Sequence, residues 1–327
     1  MANATVSRLG LVNNSGTNFD ELFLKVFSGE VLTAFSRNNI FNEQLHSVRT
    51  IASGKSASFP VLGTATAAYH SVGTPLVGAN QIKANEKIIT IDDLLISQAF
   101  VAQIDELKNH YDVRATYADE LGKALAKQYD INVAKVIANA SRTSTTLSGG
   151  NGGTVLTLAS GNTNSAAVTG DELAAAIYDI AQTFDERDIP TTDRFCVLPP
   201  AEYYKLAETA TRTVDTDFNP QGNGSFASGK IQQIAGIPVM MSNSVPQTNR
   251  SAVTGENNTY SGDDSKTIGL VFHKSAVGTV KLMDMKTEIS GSDYNLMYQG
   301  TLMIAKYLLG HGVLRPECAA TIKLSAS

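Results

Sequence analysis

The sequence predicts an α+β protein. Apolar residues recur at spacings of three and four over 18–37, 112–141 and 169–184, the period of helices. Segments within 45–95 and from 267 onward alternate with the period of two that marks strands. The two kinds of segment interleave only in part, which argues against a repeated βαβ order. No internal repeat of the sort that builds a solenoid or propeller is evident.

Residues 1–17 are polar, with Asn13-Asn14-Ser15-Gly16, and read as a flexible tail. Asn18 can cap the first helix, with Glu21 three residues on. Phe19, Leu22, Phe23, Val26, Val31 and Phe35 form its stripe, which Gly29 weakens or bends. So apolar a stripe beside a polar tail must dock on its own domain or on a neighbour. Next, His46–Ile51, Ser56–Val61 and Lys87–Ile91 alternate around a soft centre holding Gly63, Gly73, Pro75 and Gly78. This predicts an extended hairpin over 45–95, with Pro60 arguing against a central strand position. It has little core of its own, so it should project and need a partner surface.

The longest helix is predicted from about Asp112 to Ser141, with Val113, Tyr117, Leu121, Leu125, Val133, Val136, Ile137 and Ala140 on one face. At 1.5 Å per residue it would be roughly 45 Å long, a scaffold element. The run Gly149-Gly-Asn-Gly-Gly153 breaks the chain before a short strand at Val155–Leu158. Thr169 and Glu172 make a capping box for a helix through Leu173, Ile177, Ile180 and Phe184, with Pro190 as its stop. A buried strand follows at Arg194–Leu198, and Pro199-Pro200 opens a helix through Tyr203, Tyr204 and Leu206. Residues 211–229 and 247–266 read as polar loops, with strands between Ile231 and Met241 around Gly236. The later strands are predicted at Ile268–Phe272, Gly278–Met285, Tyr298–Leu309 and Cys318–Leu324.

Composition narrows the function. Of 327 residues only 17% are charged while 43% are hydrophobic. A surface short of charge favours contact with other protein, because a buried charge costs desolvation. The net charge of -5 comes without a basic run, so tight sequence-independent gripping of nucleic acid is not expected. Cys196 and Cys318 are far apart and form no CxxC pair, so neither a disulfide framework nor a zinc site is predicted. Met1–Gly10 lacks the apolar core of a signal peptide, and no window reaches the ~18 apolar residues of a membrane span. The expectation is a protein made and kept in the cytosol, with no membrane partner.

The chemical motifs are weak. Gly224-Ser-Phe-Ala-Ser-Gly229-Lys230 has phosphate-loop spacing, but Ile231 stands where Ser or Thr is needed and no strand precedes it. Gly54-Lys55-Ser56 resembles the end of that motif, but Arg49 replaces its first glycine. The histidines His46, His70, His110, His273 and His311 do not pair with metal-ligand spacing and read as surface or hydrogen-bonding residues. Asp92-Asp93 and Asp263-Asp264 read as solvated turn acids, and Tyr203-Tyr204 as helix packing. No catalytic, cofactor-binding or metal-ligating set is predicted.

Several segments closely resemble the major capsid proteins of T-seven-type short-tailed phages, members of the HK-97-like capsid family. They are Leu22–Phe35, Ser53–Gly63, Asn109–Arg114, His273–Leu282 and Ile304–Glu317, in family order. The resemblance implies an HK-97-like fold: an N-terminal arm at 1–44, an E-loop at 45–95, a peripheral domain at 96–165 and 278–310 with the 112–141 spine helix, and an axial domain at 166–277 and 311–327. It also implies assembly of identical copies into pentamers and hexamers of an icosahedral head around double-stranded DNA. A scaffolding protein would act during assembly and a portal protein would occupy one vertex. The protein would belong to the virion, assembled in the host bacterial cytoplasm, and would use no cofactor.

The candidate intersubunit contacts are Phe19, Leu22, Phe23, Val26 and Phe27 of the arm and Lys55, Phe59 and Tyr69 of the hairpin. Some proteins of this fold crosslink an E-loop Lys to a neighbour's Asn; Lys55 and Lys83 lie in that region, but plain non-covalent contacts are favoured. The nearest rival is an encapsulin-type compartment enclosing cargo enzymes. A nucleotide-dependent enzyme using Gly224–Lys230 and a secreted envelope lattice protein are further rivals.

Overall fold

The computed structural model describes residues 41, 44–63, 65, 67–75, 82–104, 114–145, 150–158, 168–209, 224–225, 230–231 and 233–325. The predicted arm helix at 18–37 lies outside these residues. The described strands and helices, in chain order, begin with β1 (Ser47–Thr50), β2 (Ser56–Leu62), β3 (Ala84–Thr90) and β4 (Leu95–Ala102). The long helix α1 (Arg114–Ala140) follows, then β5 (Thr154–Thr157), α2 (Gly170–Glu186), β6 (Arg194–Leu198) and α3 (Pro200–Thr209). Short strands come next: β7 (Gly224–Ser225), β8 (Lys230–Ile231), β9 (Gln233–Ile234), β10 (Ile237–Met241), β11 (Asn249–Arg250) and β12 (Gly262–Asp263). The chain continues through β13 (Thr267–His273), β14 (Val277–Ile289), α4 (Ser292–Tyr298), β15 (Gly300–Val313) and β16 (Ala319–Lys323).

Two compact units are present. One gathers described residues of Asp93–Tyr129 and Met283–Leu309; the other gathers those of Ile40–Asp92, Asp130–Leu282 and Gly310–Ser327. In the first, β4 runs antiparallel to β15 from Leu95↔Tyr307 to Ala102↔Gly300. Tyr294 of α4 meets Phe100 edge-on and lies 4.5 Å from Tyr298, ring centre to ring centre.

The second unit is built on a six-stranded sheet in the order β5-β16-β13-β6-β10-β9. It is mixed: β5 and β16 are parallel, as are β6 and β10, while the other neighbours are antiparallel. β13 is buried at six of its seven positions, as expected of a central strand covered on both faces. Helix α2 packs along α3 and reaches β5 and β9, the two ends of the sheet order. The predicted capping box is present, with Thr169 and Glu172 each accepting from the other's backbone N–H. The apolar face Leu173, Ile177, Ile180 and Phe184 is buried, as its 3–4 spacing requires.

Some boundaries differ from expectation. Helix α2 stops at Glu186 rather than running to Pro190, because Asp188 takes a left-handed φ of 54°. The N–H groups of Asp188 and Ile189 then close back on Asp185 O and Phe184 O, a C-terminal cap usually built on glycine. Arg194 secures the turn from inside. Its guanidinium, 5.6 Å from the Phe184 ring centre, donates to the carbonyls of Ile189 and Pro190 and pairs with Asp185. Tyr298 ends helix α4 instead of starting a strand, and Gln299 in the left-handed region (φ 49°) turns the chain into β15. The 247–266 segment, read as a polar loop, carries β11, β12 and several packed side chains.

Candidate functional site

The hairpin is β2 paired antiparallel with β3, from Ser56↔Thr90 to Leu62↔Ala84. Strand β1, expected with it, instead pairs in parallel with Ser47–Thr50 against Gly278–Lys281 of β14. The hairpin has two different faces. Ala57 and Ile89, opposite each other, are buried, and Phe59 continues that face. The other face carries Ser58, Pro60 and Leu62 opposite Ile88, Glu86 and Ala84, with Leu62 72% and Ile88 61% exposed. Ile82 is also exposed, and Tyr69 and Val72 in the connecting segment are wholly so. A two-stranded ribbon with an apolar outer face has no core to bury it in.

The root of the hairpin is fixed by glycines and by a polar cluster. An added methyl at Gly310 would stand 2.0 Å from Thr90 O, and one at Gly312 would stand 2.7 Å from the Ile89 side chain. At Gly278 it would meet Leu314 at 2.7 Å and Ile89 at 3.1 Å. Side chains there would lift the return strand off its floor. Beyond it, the Asp92 carboxylate accepts from the N–H groups of Asn257 (2.8 Å) and Asn258 (3.1 Å), from Asn258 Nδ2 (3.1 Å) and from the Tyr260 hydroxyl (2.6 Å). Asn257 Nδ2 donates to Ile91 O and Asn258 Nδ2 to Thr90 O. Burial raises Asp92 above the usual carboxylate range, and the hydrogen bonds from Tyr260, Asn258 and Asn257 pull against it. Burial, then the Asp92 charge, pushes Tyr260 well up. His311 Nδ1 is 2.8 Å from Thr279 Oγ1, and burial, followed by the charge of His46, pushes its imidazole down to about 3.

A second buried charge cluster sits by the end of α1. Asp264, with no exposed surface, pairs with both Arg142 and Arg250; Arg250 Nε donates to it at 2.6 Å. Arg142 also donates to Asp263 O and Ala138 O. Arg250 is lowered to about 10, chiefly by burial and then by the Arg142 charge.

These positions correct the reading of the turn acids. One residue of each pair, Asp92 and Asp264, is a packed anchor, while Asp93 and Asp263 are exposed. Of the histidines read as surface or hydrogen-bonding residues, His46 and His311 are buried, and His311 is of the hydrogen-bonding kind through its contact with Thr279. Of the proposed contact residues, Lys55 and Tyr69 are exposed and Phe59 is half-buried under Arg49. The arm residues Phe19, Leu22, Phe23, Val26 and Phe27 lie outside the described residues. Lys230 of the phosphate-loop look-alike lies in strand β8, paired with Ser225, where a phosphate loop would begin a helix. Among the described residues no cluster of His, Cys, Asp and Glu could hold a metal, and no helix is long and apolar enough to cross a membrane. Asn257, Asn258 and Tyr260 were missed as anchors because they stand in a run of polar and glycine residues without periodicity; only the lone Tyr hinted at packing.

Comparison with known proteins fits this architecture. A family profile described as Gp10A-like, major capsid protein, matches residues 58–323. The major capsid protein of Escherichia phage T7 is 34% identical over 92% of this chain and 91% of its own length. That of Enterobacteria phage T3 is also 34% identical, over 93% and 91%. The capsid structure of the cyanophage P-SCSP1u superposes over 100% of both chains with a TM-score of 0.84 and 49% identity. The mature capsid of bacteriophage PhiM1, at 20% identity and a TM-score of 0.73 over 98% of this chain and 97% of that one, shares the fold. The encapsulin alternative finds no support among these relatives. With an α+β, HK-97-like fold and these relatives, the chain belongs to the Gp10A-like family of phage major capsid proteins.

Proposed function

We propose that copies of this subunit associate as pentamers and hexamers into an icosahedral head around double-stranded DNA. The reading extends to a scaffolding protein during assembly, a portal protein at one vertex, and assembly in the host bacterial cytoplasm. The subunit's work is mechanical rather than catalytic. The single observation that carries the reading is the outer face of the hairpin, where Leu62 and Ile88 stay exposed on a ribbon that has no core to cover them. A second copy of the chain supplies that cover. We read 45–95 as the E-loop and 1–44 as an arm that docks on a neighbour through Phe23 and Val26. The six-stranded sheet with α2 and α3 falls, apart from β5, within 166–277 and 311–327, which supports reading those ranges as the axial domain. The peripheral domain is then 96–165 with 278–310.

The test is co-expression of the full chain with its scaffold, followed by electron microscopy. Leu62→Asp with Ile88→Asp should leave soluble folded subunits and abolish closed shells. Phe23→Asp with Val26→Asp should act likewise. Uniform shells from the hairpin variant would overturn the assigned role of that face.

A further inference from the structure

The hydrogen bonds Ile91 N–H to Lys55 O and Gly63 N–H to Lys83 O place the bonded pairs of the hairpin at its odd-numbered β2 positions. The even-numbered pairs, Ser58↔Ile88 and Ser56↔Thr90 among them, therefore point their backbone groups off the two outer edges of the ribbon. Near the root, each edge is met by a side chain from the same unit. Arg49 of β1 donates from Nη1 to Ser58 O at 2.7 Å, and its guanidinium lies 5.7 Å from the Phe59 ring centre. On the other edge, Asn258 Nδ2 donates to Thr90 O at 2.7 Å, and Thr90 Oγ1 lies 3.2 Å from Asn258 Oδ1.

We propose that Arg49 and Asn258 are positioning residues that hold the hairpin at one inclination by gripping its two opposite edges. The geometry is that of two stays on a mast. Ala57 and Ile89 seat the foot in the core, but a seated foot alone leaves a two-stranded ribbon free to tilt about it. A donor on one edge resists tilt one way, and a donor on the other resists the reverse. Arg49 suits the exposed side because its planar fork can bond a carbonyl and stack on a ring at once, which lysine cannot do. Asn258 suits the part-buried side because its amide donates to the Thr90 carbonyl and accepts from the Thr90 hydroxyl, so both ends of the amide hold one residue. The consequence for shell building rests on the hairpin being an intersubunit contact; the fixed inclination does not.

The experiment uses the unassembled full chain, spin-labelled at Tyr69→Cys near the hairpin tip and at Tyr178→Cys on α2, both exposed. Cys196 and Cys318 are buried. The distance distribution should be narrow in the parent and broaden in Arg49→Ala, in Asn258→Ala and most in the pair, with the melting temperature of Arg49→Ala unchanged. Backbone amides of Phe59, Val61 and Lys87 should exchange about tenfold faster in Arg49→Ala, while those of β13 stay protected. Arg49→Lys should stay broad, since it keeps the charge but not the fork. An unchanged distribution in Arg49→Ala, or full restoration by Arg49→Lys, would overturn the proposal. Normal shells from the Leu62 and Ile88 variant would instead overturn the contact reading and leave this measurement standing.

Discussion

The hydroxyl of Tyr260 donates to Asp92 Oδ2 at 2.6 Å and accepts the backbone N–H of His311 at 3.0 Å. One phenol thus joins the end of the hairpin's return strand to β15. Tyr260→Phe keeps the ring but takes one donor from a half-buried carboxylate and leaves a buried N–H without its partner. A loss of about 1–3 kcal/mol is expected in chemical denaturation of the full chain. A loss within measurement error would mean that the phenol is not the joint.

His311 gives stability a pH dependence with a definite sign. Its folded pKa is pushed to about 3, below the ordinary histidine value, so the folded state binds the proton less well than the unfolded chain. Stability is fully present above about 6.5 and falls as pH drops from there toward 3, by on the order of 4 kcal/mol. Asp92 works the other way: its folded pKa is raised, so protonating it in acid favours the fold and offsets part of the loss. Melting temperatures scanned from pH 8 to 4 should fall, and His311→Asn should flatten the curve. Equal slopes in parent and variant would assign the acid loss elsewhere.

The glycine floor predicts a steric effect that no polarity scale would give. Gly310→Ala places its methyl on the Thr90 carbonyl, and Gly312→Ala places one on Ile89. Overpacking of this kind costs about 1–3 kcal/mol. Faster amide exchange at β3 than at β13 would locate the damage at the hairpin root.

Asp264 is the only acid paired with both Arg142 and Arg250 among the described residues. Asp264→Ala leaves two guanidinium groups facing each other with little water between them. The expected cost is about 3–5 kcal/mol, read by denaturant titration. A neutral result would show that water or another acid replaces the carboxylate.

Much of the fold was legible in the sequence because its signals are local. The Thr169–Glu172 box and the Leu173–Phe184 stripe are properties of one helix, and α2 follows them closely. The alternation at Ser56–Val61 and Lys87–Ile91 likewise gave the hairpin. What escaped depends on distant partners. Nothing near Asp92 announces Tyr260, 168 residues away, and nothing near Asp264 announces Arg142. Burial of one acid in each Asp-Asp pair is decided by those partners, so turn chemistry alone could not find it. Strand β1 misled for the same reason: its alternation is real, but its partner is Gly278–Lys281 of β14.

The order of strands in the six-stranded sheet also sets a clock. β16, at Ala319–Lys323, lies between β5 and β13, and its neighbours were made about 165 and about 50 residues earlier. During synthesis β5 therefore waits without its partner until β16 has left the ribosome, a long-range closure of the kind that folds slowly. Chains that stop short of 319 lack an interior strand, and β5 and β13 lose the partner that joins them.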